Sequence, residues 1–321
     1  MQLIYKYNVR ACAIALASVL MLCACSGSDD DNKDNGSSTA VVNVNKNVIT
    51  GTSKPEEALR MEVPHLATGR KLVLVKKTSQ YGVNYIVEWD CDKKAQRWSC
   101  WEWNASNSVK NWNRYNWRSE KGCEWQGTTW FYDPFQEDPD IPSQYQSLLT
   151  DYQSSGYNRG HICASEDRIC NQDVNGQTFY LSNMQPQIYG FNGGVWVNME
   201  NQVRKWNVSE VRDTMWVCKG GTIGNVYLDG KEQTGVIENS RMNIPVPKYF
   251  FMALVAKKNG SYKGMAFWAE HKENSDAALA KYMISIDELE TRTGIDFFCN
   301  LPDQIENSVE AMNSPVSWGL Q

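Results

Sequence analysis

SNMQPQIYGFNGGVWVNMENQVRKW, residues 182–206, carries the pattern on which the fold turns. Its second half puts apolar side chains at Val195, Trp196, Met199 and Val203, the three-and-four spacing of an amphipathic helix. The aromatic-rich QTFYLSNM (177–184) before it is expected to be a strand. In an ideal helix, Asn192 at the start and Glu200 eight residues on lie about 80° apart around the axis. An amide oxygen and a carboxylate on one side of a helix are hard donors that suit Mg²⁺, which keeps most of its waters. The same pair also fits a helix cap and a solvated side chain. Spacing alone favours that plainer reading.

Outward from this segment, LVLVKKT (72–78), YIVEWD (85–90) and RWSCWEW (97–103) read as strands upstream. Downstream, TMWVCKGGTIG (214–224), VPKYFFMALVAK (246–257) and YKGMAFWAEH (262–271) read likewise. KYMISI leads to Asp287, a good N-cap for a helix through ELETRT that stops at Gly294. Residues 104–146, rich in Asn, Trp, Pro and Asp, read as one long decorated loop. No repeat divides the chain. The expectation is one α+β domain, a mixed but mainly antiparallel sheet with helices packed on it. Thirteen Trp and fifteen Tyr supply core and interface material. The formal charge of −5 excludes a global basic field for nucleic acid, so such a substrate requires a local basic lining.

Only three histidines occur. His65 lies beside Pro64 in VPHLATG, with no chemistry around it, and His271 in AEHKEN reads as a charged strand end at the surface. His161 lies in SGYNRGHICASEDR (155–168), where Gly160 is expected to let the backbone turn tightly between Arg159 and His161. An arginine suited to phosphate beside a possible proton acceptor fits phosphodiester cleavage.

Taken together, residues 157–168 and 177–206 resemble the DNA/RNA non-specific endonucleases, the ββα-metal (His-Me finger) family of Serratia nuclease and endonuclease G. The family's Asp-Arg-Gly-His motif is met by Asn158-Arg159-Gly160-His161, and its Ser/Thr-Asn-x-x-Pro-Gln turn by Ser182–Gln187. Its metal-binding Asn and the Glu eight residues later fall on Asn192 and Glu200, and ISIDELETRTGIDFFCNLPD (284–303) resembles its closing strand and helix. The likeness runs from about Leu72 to Asp303. It implies His161 as general base, Asn192 as direct ligand of Mg²⁺ (or Mn²⁺), and Glu200 as ligand through water. It also implies Arg159 and one upstream arginine on the phosphate, with Arg118 preferred over Arg114. DNA and RNA would both be cut, with little sequence preference, to leave 5′-phosphate ends.

Two positions depart from the family. Asn158 replaces its Asp, implying altered ordering of the metal waters, and Met252 stands where members often carry Lys. Rival readings are an inactive ββα scaffold that only binds nucleic acid, a glycan-binding surface lipoprotein suggested by the Trp-rich 98–130, and a toxin nuclease.

At the N-terminus, Lys6 and Arg10 precede an apolar run from Ala11 to Ala24, the form of a signal peptide. Leu22-Cys23-Ala24-Cys25 resembles a bacterial lipobox, with lipid on Cys25, and Asp29, Asp30 and Asp31 resemble a Bacteroidetes surface-export signal. The expected organisation is a signal peptide at 1–24, a lipidated cysteine and polar acidic tether at 25–62, and the endonuclease domain at 63–321. The expected location is the cell envelope, anchored to the outer membrane and facing the periplasm or the outside. Seven cysteines remain (91, 100, 123, 163, 170, 218 and 299), an odd number that leaves at least one without an intrachain partner. The lack of any C-x₂-C pair argues against structural zinc.

Overall fold

The computed structural model describes residues 42–50 and 54–321. The signal peptide, Cys25 and the acidic tether up to residue 41 lie outside the described residues. Among those described, no helix is long and apolar enough to cross a membrane.

The strands that position the site are β1 (Lys71–Thr78), β2 (Gly82–Asp90), β3 (Ala95–Trp103), β4 (Asn158–His161), β5 (Met184–Gln187), β6 (Thr214–Gly221), β7 (Tyr249–Lys258), β8 (Ser261–Glu270) and β9 (Met283–Ile284). Seven of them form one sheet in the order β1-β2-β3-β6-β7-β8-β9, antiparallel at every junction. The other two, β4 and β5, pair as a separate antiparallel ribbon.

Strand β7 shows why the sheet is covered on both sides. Phe250, Met252 and Leu254 enter one core while Phe251, Ala253 and Val255 enter the other. A continuous apolar run is what a strand buried on both faces requires. On the first face, Trp89, Trp101 and Trp103 pack with Met199 and Val203 of helix α1 (Val197–Trp206) and with Trp196 just before it. On the second, helices α2 (Ile286–Thr293) and α3 (Asp303–Glu310) contribute Ile286, Leu289 and Val309. Each large apolar side chain buried in these layers contributes about 1.5–3 kcal/mol.

The structure differs from the sequence expectations at several points. Residues 177–183 are not a strand: a short helix, Gln172–Gln177, gives way to a 3₁₀ turn, Leu181–Asn183, and the strand begins only at Met184. Buried Asn side chains replace a strand ladder there. Asn175 Nδ2 donates to the Ser165 carbonyl (2.8 Å), and Asn183 Nδ2 donates to those of Cys163 and Thr178 (both 2.8 Å). The cap of α2 is Ser285, whose side chain accepts from Glu288 N (3.1 Å), rather than Asp287. The long loop packs on the 177–184 segment, with its Trp117 and Trp125 in one small core with Phe179 and Tyr180. The folded unit also begins upstream of residue 63. Asn47 is buried, donates to the carbonyls of Ala58 (3.1 Å) and Pro64 (3.0 Å), and accepts from Leu66 N (2.9 Å). All seven described cysteines are free thiols.

Candidate active site

Along β4 the side chains alternate, so Arg159 and His161 share one face and Asn158 and Gly160 the other. The backbone does not turn at Gly160. Glycine is required there because the Gln187 side chain, across the ribbon, fills the space a Cβ would need. Asn158 is thereby directed away from the imidazole.

The His161 ring sits between Phe135 (centroids 5.6 Å apart) and Phe179 (5.0 Å, edge-on). Its carbonyl accepts from Trp196 Nε1 (3.3 Å), and Asn183 Oδ1 accepts from Cys163 N (2.9 Å), which fixes the chain just beyond the histidine. Nε2 of His161 is buried and has no hydrogen-bond partner. Burial, reinforced by the Arg114 guanidinium, holds the imidazole pKa well below its ordinary value. At neutral pH the ring is uncharged.

Helix α1 is entered through a wide π-type turn, Asn192–Trp196, a form often found at functional sites. Gly194 leaves helical geometry (φ −108°, ψ −116°) because the Asn274 carbonyl comes in to accept from Val195 N (2.7 Å), where a Cβ would collide with it. Asn192 itself is helical, and its side chain provides no cap. Glu200 is 8% exposed, and its Oε1 has no hydrogen-bond partner. The plainer reading of a cap and a solvated glutamate therefore fails on both counts.

Around Glu200 lies a charged layer that the sequence did not single out. Lys219, fully buried on β6, has Nζ 3.1 Å from Asp167 Oδ2 and 3.7 Å from Glu200 Oε1. Arg204 Nη1 donates to Asp167 Oδ1 (2.7 Å). Burial raises the Glu200 pKa above the usual carboxylate range, against the pull of Lys219. Asp167 is held below that range: burial opposes ionisation there, but Lys219 and Arg204 outweigh it. Two signals were present. Arg204 stands four residues after Glu200, one turn along the helix, and Lys219 is a charge inside an apolar strand, which demands a partner.

His161, Asn192, Glu200, Arg114, Arg159 and Arg204 line one cavity of about 220 Å³. Arg114 is held there by Asp133 through Nε (3.2 Å) and Nη2 (2.7 Å). Arg118, 48% exposed, shares the same carboxylate (2.8 Å) but does not line the cavity, so the structure brings Arg114 to the site in its place. Arg159 lies 4.0 Å over the Phe135 ring. Three arginines supply the local basic lining that an acidic chain needs. His65 is exposed. His271 is buried rather than at the surface: its Nε2 accepts from Ile188 N (2.8 Å) and its Nδ1 donates to the Pro247 carbonyl (2.7 Å). It supports the turn into Asn192 and stands outside the cavity. Met252 is buried in the sheet.

The donor set suits a hydrated divalent ion. The Asn192 amide and the buried Glu200 carboxylate, whose Oε1 accepts no hydrogen bond and has Lys219 Nζ 3.7 Å away, are hard donors that line one cavity with a neutral imidazole.

A family model described as DNA/RNA non-specific endonuclease matches residues 70–304. Among curated proteins, the chain is similar to Nuclease C1 of Cunninghamella echinulata var. echinulata, with 32% identity over 171 residues, covering 52% of this chain and 67% of that protein. It is also similar to the mitochondrial nuclease EXOG of Xenopus laevis, with 30% identity over 172 residues, covering 52% and 48% respectively. The chain thus spans about half the length of the EXOG relative. Among solved structures, a chain from a crystal structure of an EndoG/EndoGI complex aligns with a TM-score of 0.57 and 24% identity, covering 72% of this chain and 88% of that one. That likeness speaks to the fold.

Proposed function

The chain belongs to the DNA/RNA non-specific endonuclease family, and on that premise we propose that it hydrolyses phosphodiester bonds of DNA and RNA, needs a divalent metal, and leaves 5′-phosphate ends. The observation that carries this reading is the unpartnered, buried Nε2 of His161 in one cavity with Asn192, Glu200 and three arginines.

Neutral His161 takes a proton from water as the water oxygen bonds to phosphorus and the bond to the 3′-oxygen breaks. The rings of Phe135 and Phe179 pack on the imidazole and help hold it in place. Arg114, fixed by Asp133, with Arg159 and Arg204, meets the charge that grows on the non-bridging oxygens. Asn192 would hold Mg²⁺ or Mn²⁺ directly and Glu200 would do so through water. The ion, when bound, supplies Lewis-acid stabilisation of the departing oxygen. Lys219 opposes protonation of Glu200, which its burial would otherwise favour. Contacts to phosphate without contacts to base edges explain indifference to sequence.

An inactive scaffold is disfavoured by the preserved, preorganised His161 and Glu200. The glycan reading is weakened because Trp98, Trp101, Trp103, Trp117 and Trp125 of the Trp-rich region are buried and cannot stack on a sugar. The proposal retains a lipid anchor at Cys25 and an outer-membrane location, supported by the Leu22–Cys25 sequence. The test is incubation of the purified protein with plasmid, and separately with RNA, in Mg²⁺ and in EDTA. Cleavage to 5′-phosphorylated ends in Mg²⁺ alone is expected. Intact nucleic acid in Mg²⁺, or equal cleavage in EDTA, would contradict the proposal.

A further inference from the structure

Helices α2 and α3 meet with acidic side chains between them. Asp287 and Glu290 are three residues apart on α2, and Glu306 and Glu310 four apart on α3, spacings that put each pair on one side of its helix. Ligand oxygens from Asp287, Glu290 and Glu310 all lie within 4.8 Å of one another. The neighbouring carboxylates of Asp296 and Glu306 each accept from Asn45 Nδ2 (3.3 and 2.7 Å). The arginine of α2, Arg292, is engaged by Glu288 instead of this cluster.

A second observation separates the cluster from an ordinary acidic surface. Glu310 is only 5% exposed, and its Oε1 is buried with no hydrogen-bond partner. A buried carboxylate without a counter-charge is unstable, and native structures rarely keep one. Either protons or a cation must resolve the arrangement.

We propose that Asp287, Glu290 and Glu310 form a calcium site that ties α2 to α3 on the sheet face opposite the catalytic cavity. The donors are all carboxylate oxygens, a set that suits a hard cation better than zinc, whose usual ligands include nitrogen or sulfur. Calcium accepts an irregular set of six to eight oxygens, completed by water, whereas Mg²⁺ demands a small and near-ideal octahedron. Asp287 is exposed, which leaves an open side for those waters and for entry of the ion. The two acidic helix faces then attract a shared ion in place of repelling each other.

The test is thermal unfolding of the full chain at pH 7.5 in the Asn192→Ala background, where the catalytic ion is lost. Calcium at about a hundredfold its dissociation constant should raise Tm by about 4 °C or more. Titration calorimetry should give one calcium per chain. Asp287→Asn, at an exposed position, and Glu310→Gln should each remove most of the shift, and Mg²⁺ at equal concentration should give less than half of it. If Glu310→Gln proves too unstable to measure, Asp287→Asn decides alone. A calcium shift kept in these variants, an equal shift with Mg²⁺, or no shift at all, as protonated carboxyls would give, overturns the site.

Discussion

Lys219 Nζ stands 3.7 Å from Glu200 Oε1 and 3.1 Å from Asp167 Oδ2, and so joins the central sheet to the helix that carries the glutamate. Replacing Lys219 with Met leaves two buried carboxylates with Arg204 as their remaining cation. Loss of one partner from a buried ion pair costs about 3–5 kcal/mol, to be read from urea unfolding. Glu200, already raised by burial, would then rise further without the pull of Lys219. The concentration of Mg²⁺ for half-maximal cleavage should increase, and the defect should ease as pH rises. Parent-like stability and Mg²⁺ dependence would remove Lys219 from the account.

Asn192 and Glu200 have separable roles. Asn192→Ala should reduce kcat/KM more than Glu200→Gln, whose loss should fall in the ~10–100-fold range usual for outer-shell partners. Mg²⁺ titrations of both variants check this order. A larger defect in Glu200→Gln would make Glu200 the direct ligand.

The two upstream arginines differ in position, not in partner. Arg114 lines the cavity and Arg118 faces solvent, although both bind Asp133. Arg114→Ala should lower kcat by ~10²–10³-fold, the scale of losing one preorganised donor to a developing charge. Arg118→Ala should change it by less than about fivefold, since an exposed ion pair contributes ~0–1 kcal/mol. Rates measured on one plasmid substrate distinguish them.

His271 should behave as a structural residue. Its imidazole satisfies the Ile188 amide and the Pro247 carbonyl inside the core. His271→Ala should cost about 1–3 kcal/mol of stability from the unsatisfied partners. The folded fraction should cleave at close to the parent rate, as measured at a temperature well below Tm. A stable but inactive variant would show that His271 takes part in the chemistry.

The site was more legible in the sequence than the scaffold around it. Residues 159–161, Asn192 and Glu200 were picked out by their likeness to the family motif rather than by spacing alone, and the structure brings Arg159, His161, Asn192 and Glu200 to one cavity; the helix through Val203 was readable because burial imposes a 3.6-residue period. The segment 177–183 was misread because its aromatic content suits a strand, while Asn175 and Asn183 satisfy the local backbone from their side chains. Choosing between Arg114 and Arg118 depended on the direction of one 3₁₀ turn, which sequence period does not encode. His271 looked exposed because charged residues surround it in AEHKEN, yet its ring turns inward to meet a strand and a turn distant in sequence.

The central claim is that neutral His161 is the general base. Desolvation, reinforced by Arg114, holds its pKa well below the ordinary imidazole value, so the cleavage rate should be level through neutral pH. The acid limb should lie lower and persist in Glu200→Gln, which lacks that carboxyl. The decisive measurement is kcat/KM for parent and His161→Ala from pH 4.5 to 9 in saturating Mg²⁺. Loss of a general base predicts a fall of ~10²–10⁴-fold on the plateau and disappearance of the imidazole limb from the residual activity. A His161→Ala protein that cleaves at the parent rate, with the same pH profile, would contradict the account.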